Sequence, residues 1–504
     1  MSLYYQDLLA VGQNEAERTA FVHRAILDHK ASEEYRTAVI ANDYARQRNT
    51  TIVKYQKMLY TLSGQQVPDN FSANYKLCSN FFFRFLTQLN QYLLGNGVTF
   101  NEEDTKDKLG ADFDYQIQEA GFDALEGSVS FGFWNLDHID VFSIREFAPL
   151  YDEENGALMA GVRFWQVEDN KPLRATLYEI DGYTEYIWNK REKVDGKDTL
   201  VGQIYKDKRP YKLNIQSTPA DGDYIYDGEN YEGFPIVPLY ANRNKQSEIV
   251  GLRENIDAYD LIKSGYANDL DDASQIYWTI SNAGGMDDID LVQFLERLKT
   301  VKVAQVDDGS QVQSHTTEPP YGGREAILER LRADMYDDFM ALDTKAIAGG
   351  AVTATQIQAA YEPINQKADG YEYQVTKFIQ GILELAGIDD KPSYTRSMIV
   401  NKDEEISLIT QASMYLSEEY VVEKILTLFG DQDQYDEVMA QRDEAAMEAA
   451  QMQGAEMGLE GDEEYIEDEY EEEPEDIDET EAEAEDTGAL DDLLSQLEEI
   501  LGGL

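Results

Sequence analysis

IVGLRENIDAYDLIKSGYANDLDDASQIYWTISNAGG, residues 249–285, carries apolar residues at Ile249, Leu252, Ile256, Tyr259, Ile262, Tyr266 and Leu270. Steps of three and four are the period of a helix with one apolar face. The pattern predicts one long helix stopped at Gly284-Gly285. An insert follows: an amphipathic turn or two, DDIDLVQFLERLK, then TVKVAQVDDGSQVQSH, which reads as a hairpin turning at Asp308-Gly309. After Gly322-Gly323 a second helix is predicted, with Leu328, Leu331, Met335, Phe339 and Leu342 on one side. Helix, small β-insert and helix together predict a projecting stalk rather than a catalytic bowl.

Outward from this stalk the character changes. Residues 1 to about 95 read mostly as helix, and YKLCSNFFFRFLTQLNQYLLGNGV stops at Gly95-Asn96-Gly97. From about 98 to 240 the chain reads as strands in an antiparallel meander, with HIDVFSIREFAPLY, MAGVRFWQVE, LRATLYEI and TEYIWN separated by polar turns. On the other side, KAIAGGAVTATQIQAAY (345–361) breaks the helical pattern with Gly349-Gly350. A further helix is predicted over Thr353–Leu385, bent at Pro363. Residues 404–450 are helical again, with Ser417-Glu418-Glu419 as a start. The fold class is α+β.

Charge is the extreme property. The 504 residues contain 42 Lys and Arg against 99 Asp and Glu, a formal net charge of −57. From Asp443 to Leu504 there are 26 acids and no base, which leaves −31 on the preceding body. The stretch DEEYIEDEYEEEPEDIDETEAEAED cannot bury a core and is expected to be disordered. Beyond it, Leu490, Leu493, Leu494, Leu497, Ile500 and Leu501 form a short apolar helical face. That helix either docks in a partner's groove or folds back on its own subunit. Nucleic-acid affinity comes from Lys and Arg displacing counterions, so on charge alone the chain should repel DNA. A single cysteine, Cys78, excludes an intrachain disulfide. The N-terminus reads as lacking a secretion signal, and no apolar run reaches spanning length, so a soluble chain made inside a cell, with no membrane, is expected.

No motif carries enzymatic chemistry. A phosphate-cradling P-loop needs a Lys and a Ser or Thr after its last glycine; Gly349-Gly350 has neither and follows a helix. A helix break with Thr353 capping the next helix is the local reading. His23 and His29 lie six apart, off a shared helical face, and His138 and His315 are isolated. DGDYIYDGENYEG (221–233) and DQDQYDE (431–437) depart from a calcium loop at Ile225 and Tyr435 and are expected to be solvated turns. NDLDD (268–272) clusters carboxylates on a helix, where they cap it or face a neighbour. No cofactor and no metal are expected, and the chain is read as not an enzyme.

The segment YEGFPIVPLYANRNKQSEIVGLRENIDAYDLIKSGYANDLDDASQIYWTISN (231–282) resembles the portal proteins of long-tailed bacteriophages, of the siphophage type. The carrying residues are Gly233, Pro235, Pro238, Asn242, Asn244, Ser247-Glu248, Ile256-Asp257, Tyr259, Ser264 and Asn268-Asp269. Arg243 interrupts the usual Asn pair, and Asp260 and Asp271 stand where Asn and Glu are commoner. YLLGNGV, YDEENGALMAGVRFW and YLSEEYVVEKILTLFGDQDQYDEVMAQRDE look like further parts of that family, so the resemblance spans roughly 40–445.

The resemblance implies a homo-oligomeric ring, usually a dodecamer, at one capsid vertex of the virion, assembled in the host cytoplasm. Double-stranded DNA passes through it non-specifically during packaging and ejection. It implies N-terminal helices and a β-rich wing over 1–248, a stem helix over 249–285, a clip over 286–321 and a second stem helix over 322–345. A tunnel loop over 346–355, a wing helix over 356–403, a helical crown over 404–450 and a disordered acidic tail over 451–504 complete the chain. Its partners would be the terminase large subunit, the head–tail adaptor, and the major capsid and scaffolding proteins. Lys345, Ala348, Gly349, Gly350, Val352 and Thr353 would face DNA, and Arg324, Arg330 and Arg332 are candidate basic rings unless they pair with acids between subunits. Asp307, Asp308, Gly309, Gln311 and His315 of the clip would meet partners. Rival readings are another ring-forming virion component, such as an adaptor, and an acidic carbohydrate hydrolase.

Overall fold

The computed structural model describes residues 3–442 apart from 61–63, 70–73, 103, 195–196, 218–223, 274–276, 282–310, 316–320, 348–353, 398–405, 407–408, 430–434 and 436–437. The predicted acidic tail and terminal helix lie outside these residues, as does the Asp308-Gly309 turn. Two compact units divide the chain, 1–400 and 401–504.

The first unit opens with helices α1 (Tyr5–Val11), α2 (Glu15–Ala31), α3 (Glu33–Ala45) and α4 (Thr50–Lys54). Their starts are capped by side chains: Asn14 Oδ1 accepts from the amides of Ala16 and Glu17, Ser32 Oγ from Tyr35, and Asn49 Oδ1 from Thr51 and Ile52. A small hairpin, β1 (Met58–Tyr60) with β2 (Gln66–Pro68), interrupts the helical region the sequence predicted, and α5 (Phe81–Leu94) resumes it. Strand β3 (Val98–Thr99), α6 (Thr105–Lys108) and α7 (Phe113–Gly127) follow. Helix α7 corrects the sequence reading, which placed strands from about 98 onward. Its Phe113, Ile117, Ala120 and Ala124 are fully buried at helical spacing.

Strands β4 (Val129–Trp134), β5 (Ile139–Ser143), β6 (Phe147–Tyr151), β7 (Leu158–Trp165), β8 (Leu173–Glu179), β9 (Gly182–Val194) and β10 (Lys197–Arg209) come next. Strands β11 (Lys212–Ser217), β12 (Tyr224–Glu229) and β13 (Ile236–Tyr240) complete the β-rich part. The expected meander is present: β10-β9-β8-β7-β6 form one five-stranded antiparallel sheet. Helices α1 and α2 cover one face of it, where Leu8, Phe21, Val22 and Ile26 meet Leu150, Val162, Phe164 and Trp188. Strand β12 pairs with β11, so Tyr224–Glu229 is strand rather than the solvated turn expected there. A second sheet has the order β13-β4-β5. Pro238, which cannot donate to a ladder, sits on its edge strand opposite Phe131.

After β13 come α8 (Arg253–Ala273), β14 (Tyr277–Ser281), β15 (Gln311–His315), α9 (Tyr321–Phe339), α10 (Thr344–Ile347), α11 (Ala354–Ala386) and β16 (Ser393–Tyr394), which pairs with β3. Helix α11 runs through Pro363. Its Tyr361, Ile364, Ala368, Tyr371, Val375, Phe378 and Ile382, three or four apart, are buried in the main core with α5, α7 and the three-stranded sheet. Contact with the sheet is close: a Cβ on Gly132 of β4 would lie 2.4 Å from Phe378 Cζ. In the second unit, helix α12 (Glu418–Phe429) starts where the sequence placed it, with Ser417 Oγ accepting from the Tyr420 amide at 3.4 Å.

Candidate functional site

The predicted stalk is an antiparallel pair of helices continued by an antiparallel pair of strands. From the base outward, Asn255 Nδ2 of α8 donates to Asp338 Oδ2 of α9 at 3.0 Å, and Tyr266 packs edge-on against Tyr321 with ring centroids 5.8 Å apart. Asp269 pairs with Arg324. From Asn255 with Asp338 at the base to Asp269 with Arg324 farther out, one number rises as the other falls. The same order continues beyond the helices, where Tyr277–Ser281 pair with His315–Gln311. At 1.5 Å per residue, the 21 residues of α8 make an arm of about 31 Å before the strands begin.

Two features of the arm differ from the sequence reading. Helix α8 ends at Ala273, not at Gly285, and the strand partner of Gln311–His315 is Tyr277–Ser281. The buried stripe is also different. Leu270 is 46 % exposed, and Leu261 and Ile327 are 43 % and 46 % exposed. The residues that α8 buries are Ile256, Asp260 and Ser264, one turn apart, and two of them are polar.

Their partner is an extended segment that enters α5. Asp260 Oδ1 accepts the Ser79 amide at 2.9 Å, Ser264 Oγ accepts the Leu77 amide at 3.0 Å, and Asn268 Oδ1 accepts the Tyr75 amide at 2.7 Å. Four residues of helix rise about 6 Å, and two residues of extended chain span about 6.6 Å. The two repeats match, so side chains at i, i+4 and i+8 satisfy alternate amides of a chain that has no strand partner. Asp260, fully buried, also accepts from Asn49 Nδ2 at 2.9 Å. Burial pushes its carboxyl up, and the Asn49 and Ser79 hydrogen bonds oppose that. Tyr44 OH donates to Asp257, and Lys76 Nζ ties back to the carbonyls of Val53 and Tyr55 at 2.6 and 2.7 Å.

The rest of the quoted 231–282 stretch is likewise a set of fasteners. Asn242 Nδ2 donates to Gln246 O and to Glu248 Oε1, both at 2.8 Å. Ser247 Oγ, 2 % exposed, donates to Glu126 O. Glu248 Oε2 receives Lys367 Nζ of α11 at 2.6 Å. Nothing in a one-dimensional pattern marks the Ser247 and Glu248–Lys367 contacts, because each joins segments far apart in the chain.

The candidate basic residues separate into two kinds. Arg324 pairs with Asp269 and Arg330 with Asp334 at 3.0 Å. Arg332 grips Asp343 through two bonds of 2.9 and 2.6 Å and lies over the Tyr336 ring. That guanidinium holds the Asp343 carboxyl below its usual range. All three arginines are therefore matched by carboxylates of their own chain rather than left as uncompensated rings. Lys345 is different: it lies exposed in α10, its backbone amide donates to Asp343 Oδ1 at 3.1 Å, and its charge adds to the pull that keeps that carboxyl low. Ala348, Gly349, Gly350, Val352 and Thr353 lie outside the described residues, as do Asp307, Asp308 and Gly309. Gln311 and His315 are the ends of β15.

Among the described residues, no group of His, Cys, Asp and Glu is arranged to hold a metal ion, and no helix is long and apolar enough to cross a membrane. A family profile, "Phage portal protein, SPP1 Gp6-like", matches residues 29–451. The portal protein of Clostridium phage phiCD119 is 25 % identical over 347 residues, which are 63 % of this chain and 72 % of the relative. The portal protein of Bacillus phage SPP1 is 23 % identical over 392 residues, 71 % of this chain and 74 % of the relative. The match takes in the arm, the clamp on α8, the meander sheet and α11 together, and the chain belongs to the SPP1 Gp6-like family of phage portal proteins.

Proposed function

We propose that the protein is a structural, non-enzymatic subunit of a closed ring at a capsid vertex, and that the ring is the conduit for double-stranded DNA during packaging and ejection. The carrying observation is the arm: two helices continued by two strands, too thin to bury Leu261, Leu270 and Ile327 within one chain. A cleft of about 510 Å³ beside it is lined by Leu261, Ile262, Ser264 and Ile327. A second copy seated against that cleft would cover Leu261 and Ile327, and a head-to-tail contact repeated by rotation closes a ring. In that ring the arms are the stem, and the predicted clip over 286–321 would meet the terminase and then the head–tail adaptor. The 346–355 segment, leading from α10 into α11, would face the channel.

The acidity of the chain suits this use. Every cation that neutralises a phosphate releases counterions and adds affinity, and affinity opposes sliding. Carboxylate-matched arginines leave the wall weakly attractive at most, and contacts to the phosphate backbone carry no sequence information.

Negative-stain microscopy of the purified full-length chain tests the proposal. Rings with a central hole are expected; monomers, or assemblies without a hole, refute it. Deleting Ala348–Val352 should leave the ring intact and impair packaging, whereas loss of the ring would make that segment structural.

A further inference from the structure

Helices α5, α8, α9 and α10 converge on a cavity of about 400 Å³ whose lining includes Ser79, Asn80, Arg84, Lys263, Arg332 and Lys345. In a chain with more than twice as many acids as bases, none of its lining residues is acidic. Arg332 is already bound to Asp343. Among the described residues the other three cations form no close ion pair: Arg84 Nη2 donates to the neutral Tyr336 hydroxyl at 2.9 Å, Lys263 lies 5.9 Å from the Tyr259 ring with Asp260 acting on it only at longer range, and Lys345 is exposed, with Asp343 likewise at longer range. The buried Asp260 has its two oxygens committed to the Ser79 amide and to Asn49.

The backbone adds to this field. Helix α5, 14 residues long, begins at the cavity, and its N-cap, Asn80, makes no side-chain hydrogen bond to the first-turn amides. Those amides and the positive end of the helix dipole favour an anion. A cavity lined by four cations and no acid, and an uncapped helix start beside them, are independent features with one complement.

We propose that this cavity binds one oxoanion of the phosphate class, either free phosphate or the phosphodiester of a nucleic acid. Its volume exceeds what a bare phosphate needs and admits flanking sugars, which favours the phosphodiester. That source rests on the conduit reading above; binding of free phosphate does not.

The test titrates inorganic phosphate into the full-length protein at low salt, followed by calorimetry and by ³¹P line broadening, for the unaltered chain and for Lys345→Ala, Lys263→Ala and Lys377→Gln. Saturable binding of one phosphate per chain is expected, weakened about tenfold or more by either cavity substitution, since a hydrogen bond to a charged group is worth that much. Lys377, exposed on α11 and outside the cavity, should leave binding unchanged. A short DNA duplex that displaces phosphate identifies the phosphodiester as the ligand; phosphate binding without displacement identifies free phosphate. No saturable binding, or binding indifferent to both cavity lysines, overturns the proposal. Microscopy of the same samples keeps the two readings apart, because rings that fail to bind phosphate sink only the cavity, and phosphate-binding chains that form no ring sink only the conduit.

Discussion

The clamp between α8 and residues 75–79 can be dismantled one rung at a time, with a different cost for each rung. Asp260 is fully buried and accepts two hydrogen bonds. Asp260→Ala strands the Ser79 amide and the Asn49 side chain, each at about 1–3 kcal/mol. Removing a buried carboxylate relieves part of that, because burial already penalises its charged form. A net loss of about 2–4 kcal/mol follows. Ser264→Ala removes one neutral bond at a 5 % exposed position and should cost about 1 kcal/mol. Asn268→Ala removes a bond that solvent can replace in part, and should cost less. Global melting of a large chain need not be two-state, so the assay is amide hydrogen exchange at Tyr75, Leu77 and Ser79. Asp260→Ala should accelerate exchange at Ser79 by about thirtyfold or more, Ser264→Ala that at Leu77 by about fivefold, and Asn268→Ala that at Tyr75 least. Unchanged exchange at Ser79 in Asp260→Ala would refute the clamp, as would three equal effects, since the ordering follows from burial.

Two further predictions rest on buried groups in the first unit. Burial, reinforced by Glu126, pushes the Asp123 carboxyl up to about 7, so the folded chain holds a proton that the unfolded chain has released. Its contribution to stability is full below about pH 4 and is lost as pH rises through 7; Asp123→Asn should therefore be more stable than the unaltered chain by up to about 4 kcal/mol at pH 8 and nearly equal to it at pH 4, read by denaturant unfolding across that range. Gly132→Ala would drive a methyl into Phe378 of α11 and should cost about 1–3 kcal/mol by the same unfolding measurement. Phe378→Leu in the same chain should recover part of that loss, and strict additivity of the two would show that they do not touch.

Sequence patterns exposed those parts of the fold whose causes are local. Helix α11 was legible because its buried residues keep helical spacing over about six turns, from Tyr361 to Leu383, strongly enough to carry the chain through Pro363. The five-stranded meander was legible because neighbouring strands are also consecutive in sequence. Helix α7 was hidden by its strand-rich surroundings, although Phe113, Ile117, Ala120 and Ala124 carry its period. The end of α8 was misplaced because Tyr277–Ser281 pairs with a strand thirty or more residues away, and no local signal says so. The clamp was unreadable for a deeper reason. Asp260, Ser264 and Asn268 are polar residues on a helix, a pattern that ordinarily marks a solvent face. Only the extended chain laid against them makes that face the buried one.

The same clamp bears on the cavity. Ser79 is both the last rung on α8 and the residue just before the Asn80 cap of α5. Asp260 thus fixes where α5 begins, and so where its uncapped amides point. The carboxylate is close enough to the cavity to weaken it, yet it is spent on Ser79 and Asn49. Asp260→Asn separates these roles. It removes the negative charge at nearly constant shape, so phosphate affinity should rise if the fold of 75–80 survives, because the field at the cavity becomes more positive. Affinity should fall if the Asn side chain turns its amide toward Ser79 and releases the start of α5. Exchange at Ser79 decides between these outcomes: slow exchange with tighter phosphate places the anion at the start of α5. Slow exchange with unchanged affinity would mean that the cations bind phosphate without the helix.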